Sequence, residues 1–177
     1  MAETPLRIRL VVMDVDGTLT DGRITYTAEG LELKSFHARD GAGIKLLPAA
    51  GIRPAILSGR VSAATTRRAA ELGIDIVLQG IGDKAGRLRE LCQELAIDPL
   101  EAAFFGDDLG DIPPMRIAGW SAAPADAADE VRAVASYVSR LGGGRGAVRD
   151  AIEVLLRREG HWDRVLDAHD VPREAAS

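Results

Sequence analysis

The sequence predicts an α/β fold, a mostly parallel sheet between two layers of helices in a Rossmann-like three-layer sandwich. Three observations carry this. Short apolar runs rich in β-formers alternate with helical patterns along the chain, as successive βαβ units require. Glycines and prolines fall where those segments begin or end. A length of 177 residues suits one domain, 1–177, with a single sizeable core.

The elements follow in order. Arg9–Val15 reads as the first strand. Ile24–Tyr26 and Leu31–Phe36 flank "TAEG", whose glycine suits a turn, so about 22–36 is expected to form a β-hairpin. Asp40 is expected to cap a helix over Ala42–Ala50 that ends at Gly51. Arg53–Leu57 is a strand and Ala63–Leu72 a helix ended by Gly73. Asp75–Leu78, Lys84–Ala96 and Ala102–Phe105 continue as strand, helix and strand. Asp111–Ala118 is a short helix whose early prolines, Pro113 and Pro114, fit a first turn. A strand near Trp120–Ala123, a helix around Asp126–Val134, a strand near Ser136–Val138 and a helix over Gly146–Arg158 complete the set. "LGGGRG" (Leu141–Gly146) reads as the most flexible interior stretch, either a plain loop or an anion-holding one through Arg145. From about Gly160 to Ser177 the pattern weakens to a short helix and a mobile tail, where Trp162 is a candidate anchor and His161 and His169 read as non-catalytic.

Composition excludes several classes. The formal charge is −5 and no block of Lys or Arg stands out, which argues against nucleic acid as partner. No run approaches the ~18 apolar residues of a membrane span, and the start carries no secretory h-region. The single cysteine, Cys92, shares a helical face with Leu88, Leu91 and Leu95 and reads as a small buried hydrophobe. The cytoplasm is the default compartment.

The chemistry sits in "VVMDVDGTLTDG", where a strand runs into Asp14 and Asp16. Ligands of parallel sheets bind beyond the carboxyl ends of the strands. "LSGR" (Ser58–Arg60), "GDDLGD" (Asp107, Asp108, Asp111) and Lys84 of "GDK" are expected at the same rim. Two unit charges about 4 Å apart repel by on the order of 4 kcal/mol at an effective dielectric of about 20. Lys84 offsets one of five carboxylates, so a divalent cation is implied, and Mg²⁺ suits carboxylates, water and phosphate oxygens. Asp14 would then be the nucleophile and form an aspartyl phosphate. Asp16, pointing elsewhere along a bending turn, would be the general acid and base. Ser58 and Lys84 would hold the non-bridging oxygens. Each signal alone has a bland reading: a solvated turn, a loop, a helix cap, a surface lysine.

Together, "DVDGTLTDG", "LSGR", Lys84 and "GDDLGD" resemble the four motifs of the haloacid dehalogenase superfamily of phosphohydrolases, over Leu10 to about Ala123. That resemblance implies Mg²⁺ held by Asp14, the Asp16 backbone carbonyl and Asp107, with Asp108 and Asp111 supporting from behind. Many members insert a cap domain. Here the gaps of about 40 residues from Asp16 to Ser58 and about 25 from Ser58 to Lys84 hold only the body's own elements and the hairpin, so a capless form is expected. An open site favours either a large substrate or a neighbouring subunit as cover.

Nearly the full length is similar to the 3-deoxy-D-manno-octulosonate 8-phosphate phosphatase family, through "ELKSFHARDGAGIKLL", "LSGR", "QGIGDK", "FGDDLGDIPPM" and "GGRGAVRDAIEVLL". This resemblance implies a homotetramer whose hairpins cover adjacent sites, a sugar-acid phosphate substrate and a place in lipopolysaccharide biosynthesis. It implies substrate contacts at Asp16, His37, Ala38, Arg39, Asp40, Gly41, Lys45, Arg60, Arg68 and Lys84. Lys45 stands where the family carries arginine, and His37 where it carries asparagine. Other readings stay open: Arg60 paired with an acidic neighbour, Arg68 solvated on its helix, His37 on the surface. The rival functions are a phosphatase of nonulosonate 9-phosphates, a phospho-receiver module and a catalytically silent scaffold. Arg60, where the nonulosonate enzymes carry glutamate, tilts the choice to the eight-carbon sugar.

Overall fold

The computed structural model describes residues 7–170. Eight strands and seven α-helices follow one another as β1 (Leu10–Met13), β2 (Thr25–Tyr26), β3 (Glu32–Leu33), α1 (Ala38–Ile44), β4 (Arg53–Leu57), α2 (Ala63–Leu72), β5 (Ile76–Leu78), α3 (Lys84–Glu94), β6 (Ala102–Phe105), α4 (Ile112–Ile117), β7 (Trp120–Ala123), α5 (Asp129–Val134), β8 (Tyr137–Val138), α6 (Ala147–Arg158) and α7 (Trp162–Asp167). Six strands form one parallel sheet in the order β5-β4-β1-β6-β7-β8, and β2 and β3 pair antiparallel as a separate hairpin.

Every residue of β1 is buried, as a strand covered on both faces demands. Its side chains alternate between two cores. Val11 and Met13 join Ile44, Val148, Ile152, Leu155 and Val165, placing α1, α2, α6 and α7 on one face. Leu10 and Val12 join Leu88, Leu91, Met115 and Val131, placing α3, α4 and α5 on the other. Helix α6 buries Val148, Ala151, Ile152 and Leu155 at helical spacing. Full burial of one such aliphatic side chain stabilises by roughly 1.5–3 kcal/mol.

Register brings the reactive edge into line. Met13 pairs with Ile56 on one side and with Phe105 on the other, so β4, β1 and β6 end level. Sheet order reverses at β1, the point where an open parallel sheet leaves a crevice.

Several expectations shift. The helix expected over 42–50, capped by Asp40, instead starts at Ala38 with His37 as its N-cap and stops at Ile44. Pro48 has no N–H to continue it, so the chain tightens into a 3-10 turn, Pro48–Ala50. Asp40 caps a different helix. Its carboxylate accepts from the backbone N–H of Gly146 (3.2 Å) and Arg149 (2.8 Å), at the start of α6. The hairpin strands are two residues each, and α5 begins at Asp129 rather than Asp126.

"LGGGRG" is not loose. Gly144 N–H donates to Thr18 O at 3.1 Å, and a Cβ on Gly143 would lie 1.8 Å from Gly17 O. The glycines let this loop lie directly on the backbone after Asp16. Arg145 is exposed. Helix α7 lies at the far end of the sheet, packed on the 48–50 turn, near where Ile8 N–H meets Glu159. The guanidinium of Arg157 sits 4.4 Å from the Trp162 ring. The tail expected beyond residue 170 lies outside the described residues.

Candidate active site

Asp14 directly follows β1, and its N–H extends the ladder to Phe105 O at 2.9 Å. Ser58 follows β4 and is buried. Lys84 opens α3, whose N-cap Asp83 accepts from Gly86 N–H. Asp107, Asp108 and Asp111 follow β6. These separate segments deliver one group: an oxygen each of Asp14, Asp107 and Asp111 lies within 4.8 Å of the others.

Lys84 Nζ donates to Asp14 Oδ1 and to Asp111 Oδ1, both at 2.6 Å. The other Asp111 oxygen accepts from the N–H groups of Asp107 (3.0 Å) and Asp108 (3.2 Å). Asp111 is thus fully engaged and fixes both the lysine and the Asp107 loop. Asp107 accepts from the Thr18 hydroxyl at 3.0 Å. Its carboxylate rests over Gly17, where a Cβ would come within 2.0 Å of Oδ2. Asp108 is exposed and caps the 3-10 turn Leu109–Asp111 through Leu109 N–H.

The charges ask for a cation. Burial, then repulsion from Asp111, raises the Asp14 carboxyl to about 6 against the pull of Lys84. Burial, then repulsion from Asp14 and Asp111, raises Asp107 to about 7. For Lys84, burial pulls its pKa down but the two aspartates outweigh it, so the ammonium is held above its ordinary value. One lysine facing three acids leaves room for a divalent ion with oxygen ligands, and the donor set fits Mg²⁺.

A second cluster surrounds Asp16. Its Oδ1 accepts from Lys34, and its Oδ2 lies 3.6 Å from Arg60 Nε. Arg60 also binds Glu32 at 2.6 Å, and Lys34 is 3.5 Å from Glu32. The reading of Arg60 as paired with acidic neighbours therefore describes this structure. Lys34, Glu32 and Thr18 were not singled out by the sequence. The signal for Lys34 was period-two alternation in "ELKSF", which puts Glu32 and Lys34 on one face and Leu33 on the other.

A third group forms apart from the acids. His37, Asp40, Gly41 and Arg68 line a small cavity bordered by Leu19 and Phe36. The Arg68 guanidinium lies against Gly41, where a Cβ would meet Nη2 at 2.4 Å, and binds Glu71 at 3.2 Å. His37 Nδ1 is buried without a hydrogen-bond partner. Burial raises the Asp40 carboxyl, offset in part by the N–H groups that it receives. Ala38, Arg39 and Lys45 are exposed on α1 and its end. Cys92 is on the buried face of α3, its thiol pushed up to about 11 by burial.

A parallel sheet presenting this acid and lysine set at its switch point defines a phosphate-ester hydrolase of the haloacid dehalogenase-like type, and residues 73–142 match the haloacid dehalogenase-like hydrolase family. The 3-deoxy-D-manno-octulosonate 8-phosphate phosphatase KdsC of Escherichia coli K12 is 44% identical over 156 residues, covering 88% of this chain and 83% of the relative. A crystal structure of 3-deoxy-D-manno-octulosonate 8-phosphate phosphatase from Moraxella catarrhalis, in complex with magnesium, phosphate and KDO, is 41% identical. It superposes with a TM-score of 0.88 over 92% of this chain and 93% of that one. The cobalt-bound enzyme of Haemophilus influenzae is 40% identical, with a TM-score of 0.83 over 87% and 90%. This chain belongs to the 3-deoxy-D-manno-octulosonate 8-phosphate phosphatase family.

Proposed function

We propose that this protein is a Mg²⁺-dependent phosphatase that converts 3-deoxy-D-manno-octulosonate 8-phosphate to 3-deoxy-D-manno-octulosonate and phosphate. The observation that carries the reading is the meeting of Asp14, Asp107 and Asp111 oxygens within 4.8 Å beside Lys84. A relative solved with magnesium, phosphate and KDO supports the choice of ion and sugar.

Asp14 attacks phosphorus. Its new O–P bond forms as the bond from phosphorus to the sugar oxygen breaks. Asp16 gives the departing oxygen a proton, then takes one from the water that opens the aspartyl phosphate. Lys84, steadied by Asp111, and Ser58 hold the non-bridging oxygens. Asp14, Asp107 and the Asp16 carbonyl would hold Mg²⁺, which when bound neutralises charge on the phosphoryl group.

The whole chain acts as one catalytic unit in this reading. The exposed Ile24, Tyr26, Leu31 and Leu33 of the hairpin support its packing on neighbouring copies, in a homotetramer where each hairpin covers an adjacent site. Arg60 and Arg68 would meet the sugar carboxylate, and His37, Ala38, Arg39, Asp40, Gly41 and Lys45 would frame the sugar. Among the described residues no helix is long and apolar enough to cross a membrane, and cytoplasmic work on a soluble sugar phosphate is consistent with that.

The test is phosphate release from a panel of octulosonate 8-phosphate, nonulosonate 9-phosphates and simple sugar phosphates, with Mg²⁺ and with chelator. The expected result is a preference for the eight-carbon acid, lost with chelator and lost in Asp14→Asn. Equal rates across the panel, or full rates in chelator, would refute the reading.

A further inference from the structure

Lys34 is a basic residue in a two-stranded hairpin, a place where lysine is ordinarily solvated, yet only 2% of its side chain is accessible. The apolar residues beside it, Leu31 and Leu33, are 65% and 53% exposed. The hairpin is therefore inside out relative to its composition. Burying an ammonium is unfavourable unless acids receive it. Lys34 has two, Asp16 and Glu32, and Arg60 joins those same two acids from the other side. Four side chains from the nucleophile loop, the hairpin and the segment after β4 close a neutral ring.

We propose that Lys34 is a positioning residue for the reaction: it holds Asp16 by Oδ1 and ties that pose to the root of the hairpin. A carboxylate on a turn can rotate and swap its two oxygens. Here Oδ1 is taken by Lys34, while Oδ2 makes no hydrogen bond and has Arg60 Nε 3.6 Å away. Once Arg60 turns to the sugar carboxylate, Oδ2 is the oxygen free to hand a proton to the ester oxygen as the bond to phosphorus breaks. Fixing it removes rotational freedom that would otherwise have to be lost in the transition state. The hairpin thus contributes to chemistry in its own subunit as well as presenting an apolar outer face.

The inference rests on Asp16 acting as acid and base. The test compares two esters by kcat/KM, which reads only the steps through transfer of phosphorus to Asp14. Octulosonate 8-phosphate expels an alkoxide that needs a proton, whereas p-nitrophenyl phosphate expels a phenolate that does not. Since a positioned acid contributes roughly 10²–10⁴-fold, Lys34→Met is expected to lower kcat/KM for the sugar ester by ~100-fold and for the aryl ester by only a few-fold. Lys34→Arg, which keeps the cation, is expected to regain part of the sugar-ester rate.

A purely structural lysine would reduce both esters alike, and equal losses, or no loss on either, would overturn the inference. Asp16→Asn separates the two levels. If it shows the selective loss and Lys34→Met does not, only the role of Lys34 falls. If Asp16→Asn shows none, the acid assignment itself falls and the inference with it. Should Lys34→Met not fold by circular dichroism, Glu32→Gln carries the test. It leaves the lysine in place, and a smaller loss in the same order supports the positioning role, while equal losses refute it.

Discussion

Asp107 illustrates a residue whose proposed role as a metal ligand would come at a cost in stability. Its carboxyl is raised to about 7 by burial and by its acidic neighbours, so at pH 8 the folded protein holds a charge that the unfolded chain carries more easily. Asp107→Asn is expected to stabilise the metal-free protein at pH 8 by on the order of 2 kcal/mol, read from urea unfolding. The same variant is expected to lose the stabilisation that Mg²⁺ gives the wild type. The placement of Asp14, Asp16, Ser58, Lys84 and Asp107 at one rim was legible in the sequence because each follows a strand or opens a helix, and topology alone sends such positions there. Lys34 was not. Hydropathy assigns leucine inward and lysine outward, and a hairpin that turns its leucines away from its own body inverts that rule.

At the scale of elements, Asp40 joins two helices. It lies in the first turn of α1 and receives two N–H groups at the start of α6 across 106 and 109 residues of sequence. Asp40→Ala removes that cap and leaves buried donors without an acceptor, so a loss of about 2 kcal/mol is expected in chemical unfolding. Asp40→Asn, which keeps one acceptor oxygen, should lose less. The sequence marks Asp40 as a helix-capping residue, but a local pattern cannot tell which helix, because the partner is made close only by the fold. Boundaries fared similarly. The α1 end was misplaced because apolar residues continue past Ile44, while Pro48 ends the hydrogen-bond ladder first. In the hairpin, Leu31→Ser with Leu33→Ser changes exposed side chains, so the subunit fold should persist by circular dichroism. Light scattering is expected to show smaller assemblies than the wild type.

For the whole molecule, the clustered acids set a pH dependence that bound metal changes. Asp14 and Asp107 have folded pKa values above the ordinary carboxylate value, near 6 and 7. Their favourable contribution to stability is complete below about 4 and lost as pH rises through those values. Metal-free protein should therefore melt at progressively lower temperature from pH 5 to pH 8. If the ionised acids hold Mg²⁺ as proposed, its stabilising shift should be small at pH 5 and large at pH 8, which differential scanning calorimetry measures directly. The α/β class and the parallel sheet were readable because alternation of strand and helix admits few arrangements. The contact between Gly143 and the loop after β1 was not, since glycines in a row look the same whether they hang free or lie against another backbone. That contact orders events in synthesis. The turn after β1 is made early, but the clasp from Gly144 to Thr18 spans most of the polypeptide. A nascent chain on the ribosome holds Asp14 and Asp16 long before the loop that follows them can be clasped, which happens only after residue 144 has emerged.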